Sequence, residues 1–424
     1  MLPSGPVPTS PVLLRTFRQP RFRLIVLVML GAIVAVYRVL QLLALSQERL
    51  WAFDFSYYWT AASNLLHGQP LYSAAQIAGA YTPEAQIGFL YPPPFAVLFI
   101  PFAAVFPTDY RAAGWLWAAV GAVILTLSVV AVVRSERLVS RLPASLSLGR
   151  RFAVVLFVAA AFFLTPVIAE LSVGNVHLEL LGLFTVAWLG VRRADVAGQR
   201  IAGVAVALAA VIKVFPALLI VWFIVTRRHT AAVWAIAGAL AIAVASIPIV
   251  GLQAWLDYPS VLANMGPILD VHDSVSPTIW LMPVLGYDVA HWLVLGVGLV
   301  LTVLVARTRS DVVSFAVAVT LSVLIAPAVF HHYLAILVLP LLLAVRAGVR
   351  WWVLGLIYLL LWGGQQPALG DWAWVLSRVP QTVAYLVLLG ALIRVRRVAD
   401  IAETPEAGTS TTPGPALAPA AEPA

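Results

Sequence analysis

The chain lacks cysteine entirely, and this absence excludes a fold held together by disulfides. Charge is scarce as well, because charged residues make up 10% of the 424 residues, against about 25% in an ordinary soluble domain. Hydrophobic residues make up 62% of the chain, and this composition excludes both a soluble enzyme and a disordered protein.

Lysine is nearly absent, since Lys213 is the only lysine among 26 basic residues. The arginines account for most of the net charge of +8, and they form short clusters between apolar runs. Such clusters are typical of membrane topology, so we expect membrane lipids as partners and no nucleic acid. A P-loop, a dinucleotide-binding glycine fingerprint and a nucleophile elbow are also missing from the sequence. We therefore expect no cofactor, and we expect any transferred group to arrive on a lipid carrier.

The sequence instead contains many apolar runs, which predict an all-α, polytopic integral membrane protein with about 10–13 transmembrane helices. We divide it into an Arg/Pro-rich cytoplasmic tail (1–23), a transmembrane domain (24–398) and a disordered cytoplasmic tail (399–424). The predicted apolar spans are 24–45, 113–133, 152–171, 177–191, 201–225, 231–250, 289–306, 312–330, 333–346, 351–362 and 378–393.

Arginine clusters at the ends of these runs predict the orientation, because cytoplasmic loops near span ends collect basic residues. With all clusters on the cytoplasmic side, 46–112 becomes the first external loop and 251–288 becomes a long, acidic external loop. Most of the unusual polar residues then lie outside. We therefore expect a plasma-membrane protein whose site faces the extracytoplasmic side.

Two segments do not fit a simple span. The segment 91–107 contains five prolines, which interrupt helices, and we predict a juxtamembrane or re-entrant segment there. The orientation also requires 201–225 to enter and leave on the same side, with a turn at 213–216. A single long span over 201–225 is the competing interpretation, and it would place some arginines on the wrong side.

The first external loop carries a candidate general base, Asp54. In the stretch 51–72, Asp54, Tyr57 and Tyr58 recur at helical spacing, which predicts a short amphipathic helix at the membrane interface. The aromatic residues alone would also fit an interfacial belt with one solvated carboxylate. The functional interpretation is a partly desolvated base beside rings that suit the apolar faces of a sugar.

A second polar group, formed by Asn175, His177 and Glu179, lies where two spans meet on the outer side. A glutamate so near a membrane span is costly unless it is paired or functional. Glu179 could simply pair with His177, but we interpret the three residues, with Tyr57, Tyr58 and Tyr91, as candidates for substrate binding.

Lys213 has apolar neighbours for many residues on each side. It could snorkel to the interface, but a lone ammonium also suits a phosphate. His331 and His332 follow a proline break, and we interpret them, with Lys213, as candidates for binding the donor phosphate. Two adjacent histidines without a spaced carboxylate are weak metal ligands, so no metal site is expected.

Five stretches in this order resemble glycosyltransferase family 87, and the resemblance as a whole covers about residues 24–395. They are DFSYYWTAASNLLHGQPLY, FLYPPPFAVLFIPFA, GNVHLELLGL, IKVFPALLIVWFIVTRR and LIAPAVFHHYLAILVLPLLL. The family consists of membrane enzymes of the GT-C type that take mannose from a polyprenyl-phosphate carrier. The resemblance implies an inverting transfer to a lipid-linked or glycolipid acceptor.

The resemblance also implies roles for individual residues. Asp54 matches the aspartate taken as the catalytic base, which deprotonates the acceptor hydroxyl. The Tyr91-Pro92-Pro93-Pro94 run matches a segment that lines the site, and Asn175 lies in the matching turn. Lys213 with Pro216 matches a Lys-x-x-Pro element, and His331 with His332 falls in a late histidine region.

Two other classes of function stay open at this point. Intramembrane charges also mark the substrate paths of transporters and flippases. However, transporters commonly have repeated halves and polar residues at the midplane, whereas this sequence has no visible repeat and a polar outer face. A non-enzymatic assembly subunit is the third possibility.

Overall fold

A computed structural model describes residues 20–79, 88–142, 150–193, 195–265, 274–362 and 370–395. Within these ranges the chain forms α-helices and short 3₁₀ segments and no strand, so the predicted all-α fold is confirmed. The predicted terminal tail 399–424, residues 1–19 of the other tail, and Asp270 and Asp273 of the acidic loop lie outside the described residues.

The helices follow one another with short connections, and several of the predicted spans are divided between two of them. In chain order the helices are α1 (Pro20–Leu45), α2 (Phe53–Leu66), α3 (Ala74–Ala78), α4 (Pro93–Val97), α5 (Ile100–Val105), α6 (Tyr110–Ser135), α7 (Arg150–Phe163), α8 (Thr165–Val173), α9 (His177–Arg192), α10 (Val196–Ile212), α11 (Leu218–Val225), α12 (His229–Val250), α13 (Leu252–Met265), α14 (Pro277–Leu285), α15 (Tyr287–Thr308), α16 (Asp311–Leu324), α17 (Val338–Ala347), α18 (Trp351–Leu360) and α19 (Gly370–Arg394).

Among the described residues, α6, α12 and α15 are each long and apolar enough to cross a membrane. They match the predicted spans 113–133, 231–250 and 289–306 closely. Large apolar side chains such as Leu127 and Trp292 are exposed on them, as expected for helices in contact with lipid. Most of the other apolar runs form helices of 10–17 residues, which are separated by breaks.

The predicted span 152–171 is not a single straight helix. It consists of α7 and α8, which are bent by 64° at Leu164. The cause is Pro166 in the first turn of α8, because a proline lacks the backbone donor that would continue α7. The side chain of Arg38, on α1, donates to the carbonyl of Phe163 that the bend leaves free. If the bent pair is one span, the number of candidate spans rises from three to four.

A second break lies after α16. The predicted span 312–330 is helical only to Leu324, and residues 325–330 are irregular. A 3₁₀ segment, His331–Leu337, then leads into α17. Pro327 accounts for the early end, because the residue before a proline is disfavoured in helical conformation.

The segment 201–225 contains the predicted turn. Its two helical arms, α10 and α11, are separated by an extended Lys213 and a 3₁₀ turn over Phe215–Ala217. The carbonyl of Ala231 lies against Gly203, and Ala207 lies against Gly238, so α10 and α12 run parallel.

Two consecutive parallel helices require the connecting chain to return to the end at which the first one started. Residues 213–228 therefore turn back, and the chain forms the predicted hairpin rather than one long span. Its turn lies at the His177 end of α9, because α9 and α10 run antiparallel with Gly190 against Gly198.

The prediction that 251–288 forms a loop is wrong, because this segment contains the helices α13 and α14. The stretch Leu252–Met265 has apolar residues at helical spacing, and that pattern favours helix over loop. Asn264 donates to the carbonyls of Gln76 and Ile77, which joins α13 to α3 in the first external loop.

The end of α9 opposite the hairpin turn is held by charged residues. The carboxylate of Glu136 accepts hydrogen bonds from Trp188 (3.0 Å) and Arg346 (3.2 Å), and it forms an ion pair with Arg192 (3.0 Å). This cluster, which we call the arginine clamp, joins α6, α9 and α17. It lies about 22 Å from His177 along the helix, at 1.5 Å per residue.

Candidate active site

The polar site forms where the first turn of α2, the start of α9, the hairpin turn and the 3₁₀ segment after α16 meet. Each of these positions is a helix terminus or a break, so polar side chains and free backbone groups converge there. Gly174, with a φ of +69°, allows the tight turn from α8 into α9. A Cβ atom at this position would lie 2.8 Å from the Cβ of Phe55, so only glycine fits without displacing α2.

Asp54 lies in the first turn of α2, and the predicted short helix is confirmed over Phe53–Leu66. Its Oδ2 accepts a hydrogen bond from Asn175 Nδ2 at 2.7 Å and lies 3.4 Å from His332 Nε2. The Asp54 side chain is 22% exposed and the His332 side chain is 13% exposed, so both face the opening of the site.

Burial raises the pKa of the Asp54 carboxyl above its ordinary value. The hydrogen bond from Asn175 and the charge of Lys213 both act in the opposite direction and lower it. A carboxylate with a raised pKa is a stronger base than one in water, which suits removal of a proton from a hydroxyl.

Asn175 connects this carboxylate to an aromatic group. Its Oδ1 accepts from the hydroxyl of Tyr91 at 3.2 Å, and the Tyr91 hydroxyl in turn accepts from Tyr58 at 2.7 Å. The Asn175 carbonyl accepts from Trp117. With both ends of its amide bonded, Asn175 has a fixed orientation and presents Nδ2 to Asp54.

Lys213 reaches the same site from the hairpin turn. Its Nζ lies 3.0 Å from His177 Nε2 and 3.9 Å from the centre of the Tyr333 ring. It also lies 5.1 Å from the centre of the Tyr91 ring. The ammonium group is thus held by one nitrogen acceptor and two aromatic faces, an arrangement that stabilises a buried cation.

Glu170 is a residue of this site that the sequence analysis missed. Its Oε1 accepts from the backbone N–H of His177 at 2.5 Å, and its Oε2 lies 3.0 Å from His177 Nδ1. Both side chains are almost fully buried, at 2% and 0% exposure. The signal that could have found Glu170 is an ionisable residue inside the apolar run 152–171, because such residues are by default functional candidates.

Glu170, His177 and His332 each offer one ligand atom, and these atoms lie within 4.8 Å of one another. Such a group has the composition of a metal site. However, both ring nitrogens of His177 already face partners, and one partner is the ammonium of Lys213 at 3.0 Å. A second cation there would be repelled, so the contacts favour a hydrogen-bonded cluster over a metal site.

The structure brings most of the predicted site residues together, but not all of them. His331 is buried on another side of its 3₁₀ segment, where its ring faces Thr165 and Gln381 rather than Asp54. The adjacent His332 lies in the site, so the predicted histidine pair is divided.

Glu179 and Tyr57 lie at the edge of the site. Glu179 borders a cavity of about 10 Å³ beside Gly121 and Asn175, and its Oε2 has no hydrogen-bond partner among the described residues. It does not pair with His177, whose Nδ1 faces Glu170 instead. Tyr57 lies one turn from Asp54 and packs edge-on against Phe53, in a half-buried position.

The described helices form a membrane domain with a polar, partly exposed site at one end. The protein is therefore an all-α integral membrane protein. The sequence model of glycosyltransferase family 87 matches residues 89–327, more than half of the chain. The chain belongs to glycosyltransferase family 87. The match includes Tyr91, Asn175, His177 and Lys213, whereas Asp54 and the histidine pair lie beyond its ends.

Two curated relatives come from Mycobacterium tuberculosis. The chain is 25% identical over 243 residues to the polyprenol-phosphate-mannose-dependent alpha-(1-2)-phosphatidylinositol pentamannoside mannosyltransferase of strain CDC 1551 / Oshkosh, covering 55% of this chain and 51% of that protein. It is 31% identical over 197 residues to the polyprenol-phosphate-mannose-dependent alpha-(1-2)-phosphatidylinositol mannoside mannosyltransferase of strain ATCC 25618 / H37Rv, covering 43% and 42%. The chain spans about half the length of the curated relatives it matches. No solved structure gives a significant match.

Proposed function

We propose that this protein is a membrane glycosyltransferase that moves a sugar, mannose, from a polyprenyl-phosphate carrier to a lipid-linked glycan or glycolipid acceptor. The transfer takes place on the outer face of the plasma membrane and inverts the configuration at the anomeric carbon. The membership of family 87 and the names of the two relatives support the donor and the kind of acceptor.

One observation carries the proposal: a carboxylate and an ammonium group, 159 positions apart in sequence, lie in one cluster of side chains. Asn175 bonds to both Asp54 and Tyr91, and Lys213 Nζ lies 5.1 Å from the centre of the Tyr91 ring. Asp54 accepts the proton of the acceptor hydroxyl while the oxygen of that hydroxyl attacks the anomeric carbon. The bond between this carbon and the phosphate oxygen breaks, and its electron pair leaves with the polyprenyl phosphate. Lys213 offsets the negative charge of the departing phosphate, which is most effective in a site that excludes water.

His332 and Asn175 support the base in this scheme. Asn175 Nδ2 lies 2.7 Å from Asp54 Oδ2 and 3.3 Å from His332 Nε2. A His332 that is protonated at Nε2 donates toward Asp54 or toward the phosphate, whereas a bare Nε2 accepts from Asn175. Tyr57 and Tyr91 provide aromatic surface on which the apolar face of a sugar stacks, and Glu179 remains a candidate contact for a sugar hydroxyl.

The direct test uses purified protein in lipid nanodiscs with radiolabelled polyprenyl-phosphate-mannose and a phosphatidylinositol-mannoside acceptor. We expect label to appear in the acceptor lipid, and NMR of the product to give the anomeric configuration opposite to that of the donor. Asp54→Asn abolishes the transfer, whereas the matched variant Asp257→Asn, on the external helix α13, leaves it unchanged. Retention of configuration contradicts the single displacement.

The same donor in proteoliposomes separates this function from a flippase. A flippase moves labelled donor between leaflets without forming product, and that result contradicts the proposed transfer. The absence of cysteine makes the sidedness testable in the same vesicles or in cells. An impermeant maleimide is expected to label Phe53→Cys, beside Asp54, from outside. Arg193→Cys, at the other end of α9, is expected to stay unlabelled until the membrane is opened.

A further inference from the structure

Glu170 and His177 are joined in an unusual way, because one carboxylate makes both of its bonds to the same residue. The backbone N–H and Nδ1 of His177 lie 2.5 Å and 3.0 Å from the two oxygens of Glu170. Neither residue has a task in the transfer described above, although both are almost completely buried beside the site. Burying this pair is costly unless the bonds are well formed, so a role is expected.

These contacts determine which ring nitrogen of His177 carries the proton. An ionised Glu170 only accepts, and in that state Nδ1 donates to it and therefore bears hydrogen. A neutral imidazole then has a bare lone pair on Nε2. That lone pair faces Lys213 Nζ at 3.0 Å, so the ammonium group donates to it.

The alternative tautomer would leave Lys213 poorly held. With hydrogen on Nε2, two donors would face each other across 3.0 Å. Of its direct neighbours among the described residues, the ammonium would then keep the aromatic faces of Tyr333 and Tyr91. In the part of the chain that the structure describes, the titratable groups that face Lys213 come from five segments: Asp54 of α2, Tyr91 before α4, Glu170 of α8, His177 of α9, and His332 with Tyr333 of the 3₁₀ segment.

We propose that Glu170 is a positioning residue that fixes the tautomer of His177, so that His177 Nε2 holds the ammonium of Lys213 at the donor-phosphate site. Binding of the donor phosphate by Lys213 rests on the proposed function. The hydrogen bond between Lys213 and His177 does not depend on that function. Glu170 acts through His177 and is not assigned a contact with substrate.

Glu170→Gln tests this directly. The glutamine amide has the same shape as the carboxylate, but an NH₂ donor replaces one of the two acceptor oxygens. The Oε1 of the glutamine still accepts from the backbone N–H of His177, and its amide N–H₂ then faces Nδ1. Nδ1 must accept, so hydrogen moves to Nε2 and faces Lys213. We expect the KM for polyprenyl-phosphate-mannose to rise by about 10- to 100-fold, the range for a lost hydrogen bond to a charged group, with a smaller change in kcat.

The single lysine gives a readout that does not depend on activity. Reductive methylation with ¹³C-formaldehyde labels Lys213 and the N-terminal amine, and Lys213→Ala identifies the lysine signal in the NMR spectrum. We expect the titration midpoint of that signal to move to lower pH in Glu170→Gln, because the charged form has lost its acceptor and a nearby anion. Ser172→Ala, on the same helix with its hydroxyl bonded to Ala169, is the matched control and is expected to change neither readout.

Each outcome decides one of the two proposals. A wild-type KM together with a wild-type lysine titration in Glu170→Gln overturns the positioning role. A shifted lysine titration in a protein that transfers no sugar keeps the positioning role and contradicts the proposed function. If Glu170→Gln does not fold, His177→Gln carries the test, since it removes the ring. The same shifts are expected there, and their absence overturns the proposal.

Discussion

The two ends of α9 lie beside acidic residues whose surroundings differ. At one end, in the arginine clamp, Glu136 has a side-chain exposure of 0%, accepts hydrogen bonds from Trp188 and Arg346, and forms an ion pair with Arg192. At the other end, Asp54 is 22% exposed and lies beside a histidine and an amide. A carboxylate whose oxygens are fully used stabilises a structure, whereas one with access to solvent is available for chemistry.

The largest effect that this comparison predicts is on catalysis at the Asp54 end. Asp54→Asn keeps the shape of the side chain but removes the proposed base, so the transfer rate is expected to fall by about 10²- to 10⁴-fold. Donor binding and thermal unfolding are expected to stay as in the wild type. Radiolabelled transfer gives the rate and a scanning unfolding assay gives the stability. Near-wild-type turnover would remove Asp54 from the mechanism.

The arginine clamp should respond in the opposite way. Glu136→Ala removes the carboxylate that Trp188, Arg192 and Arg346 share, and removing one partner of a buried ion pair costs about 3–5 kcal/mol of unfolding free energy. Denaturant unfolding in detergent measures this, with Asp257→Ala on α13 as the control with little expected loss. A rate loss without a stability loss would mean that the clamp also belongs to the chemistry.

Lys213→Ala sharpens the comparison within the site itself. The loss of the ammonium is expected to raise the KM for the polyprenyl-phosphate donor by about 10- to 100-fold, the range for hydrogen bonds to charged groups. Lys213→Arg keeps the charge but not the fit between His177 and the two aromatic rings, so it is expected to restore only part of the affinity. Unchanged donor binding in Lys213→Ala would make it a snorkelling residue.

The divided histidine pair provides a smaller test with adjacent positions. His332→Gln removes a ring that lies 3.4 Å from Asp54, and kcat/KM is expected to fall by about tenfold, as for one ordinary hydrogen bond. His331→Gln changes a ring that faces Gln381, and kcat/KM is expected to stay unchanged. Equal losses from the two variants would contradict the geometry of the 3₁₀ segment.

The pH dependence gives the finest test. Burial raises the pKa of Asp54, so kcat/KM is expected to fall as the pH drops through a value above the ordinary carboxyl range of about 4. The hydrogen bond from Asn175 lowers that pKa. Its removal in Asn175→Ala should therefore move the acid limb to higher pH. If the acid limb of the kcat/KM profile does not move, the titrating group is one other than Asp54.

Much of this architecture is predictable from the sequence, because apolar runs and arginine clusters report directly on the bilayer. The hairpin at 201–225 follows from charge sidedness alone, and Asp54 and the tyrosines follow from helical spacing. Side-chain direction at breaks does not follow, and His331 and His332 illustrate this. Adjacent residues point apart, and only the conformation of the 3₁₀ segment decides which of them enters the site.

Glu170 was overlooked for a related reason. It lies in an apolar run that the sequence predicts as one straight span, where its position along the membrane is not apparent. The 64° bend at Leu164 brings α8 against the start of α9, and so it brings Glu170 to His177. Bends of this kind depend on tertiary packing as well as on a proline, so a pattern of hydrophobicity alone does not locate them.

The hairpin also has a consequence for the depth of the site. Both helical arms of the hairpin, α10 and α11, have their far ends at the end of α9 that carries the arginine clamp. The distance of the Lys213 amine from that end is therefore set by the number of residues in α10. Each residue removed from α10 would lower the amine by about 1.5 Å and rotate it by about 100°. The level at which Lys213 would bind the proposed donor phosphate therefore depends on the length of α10.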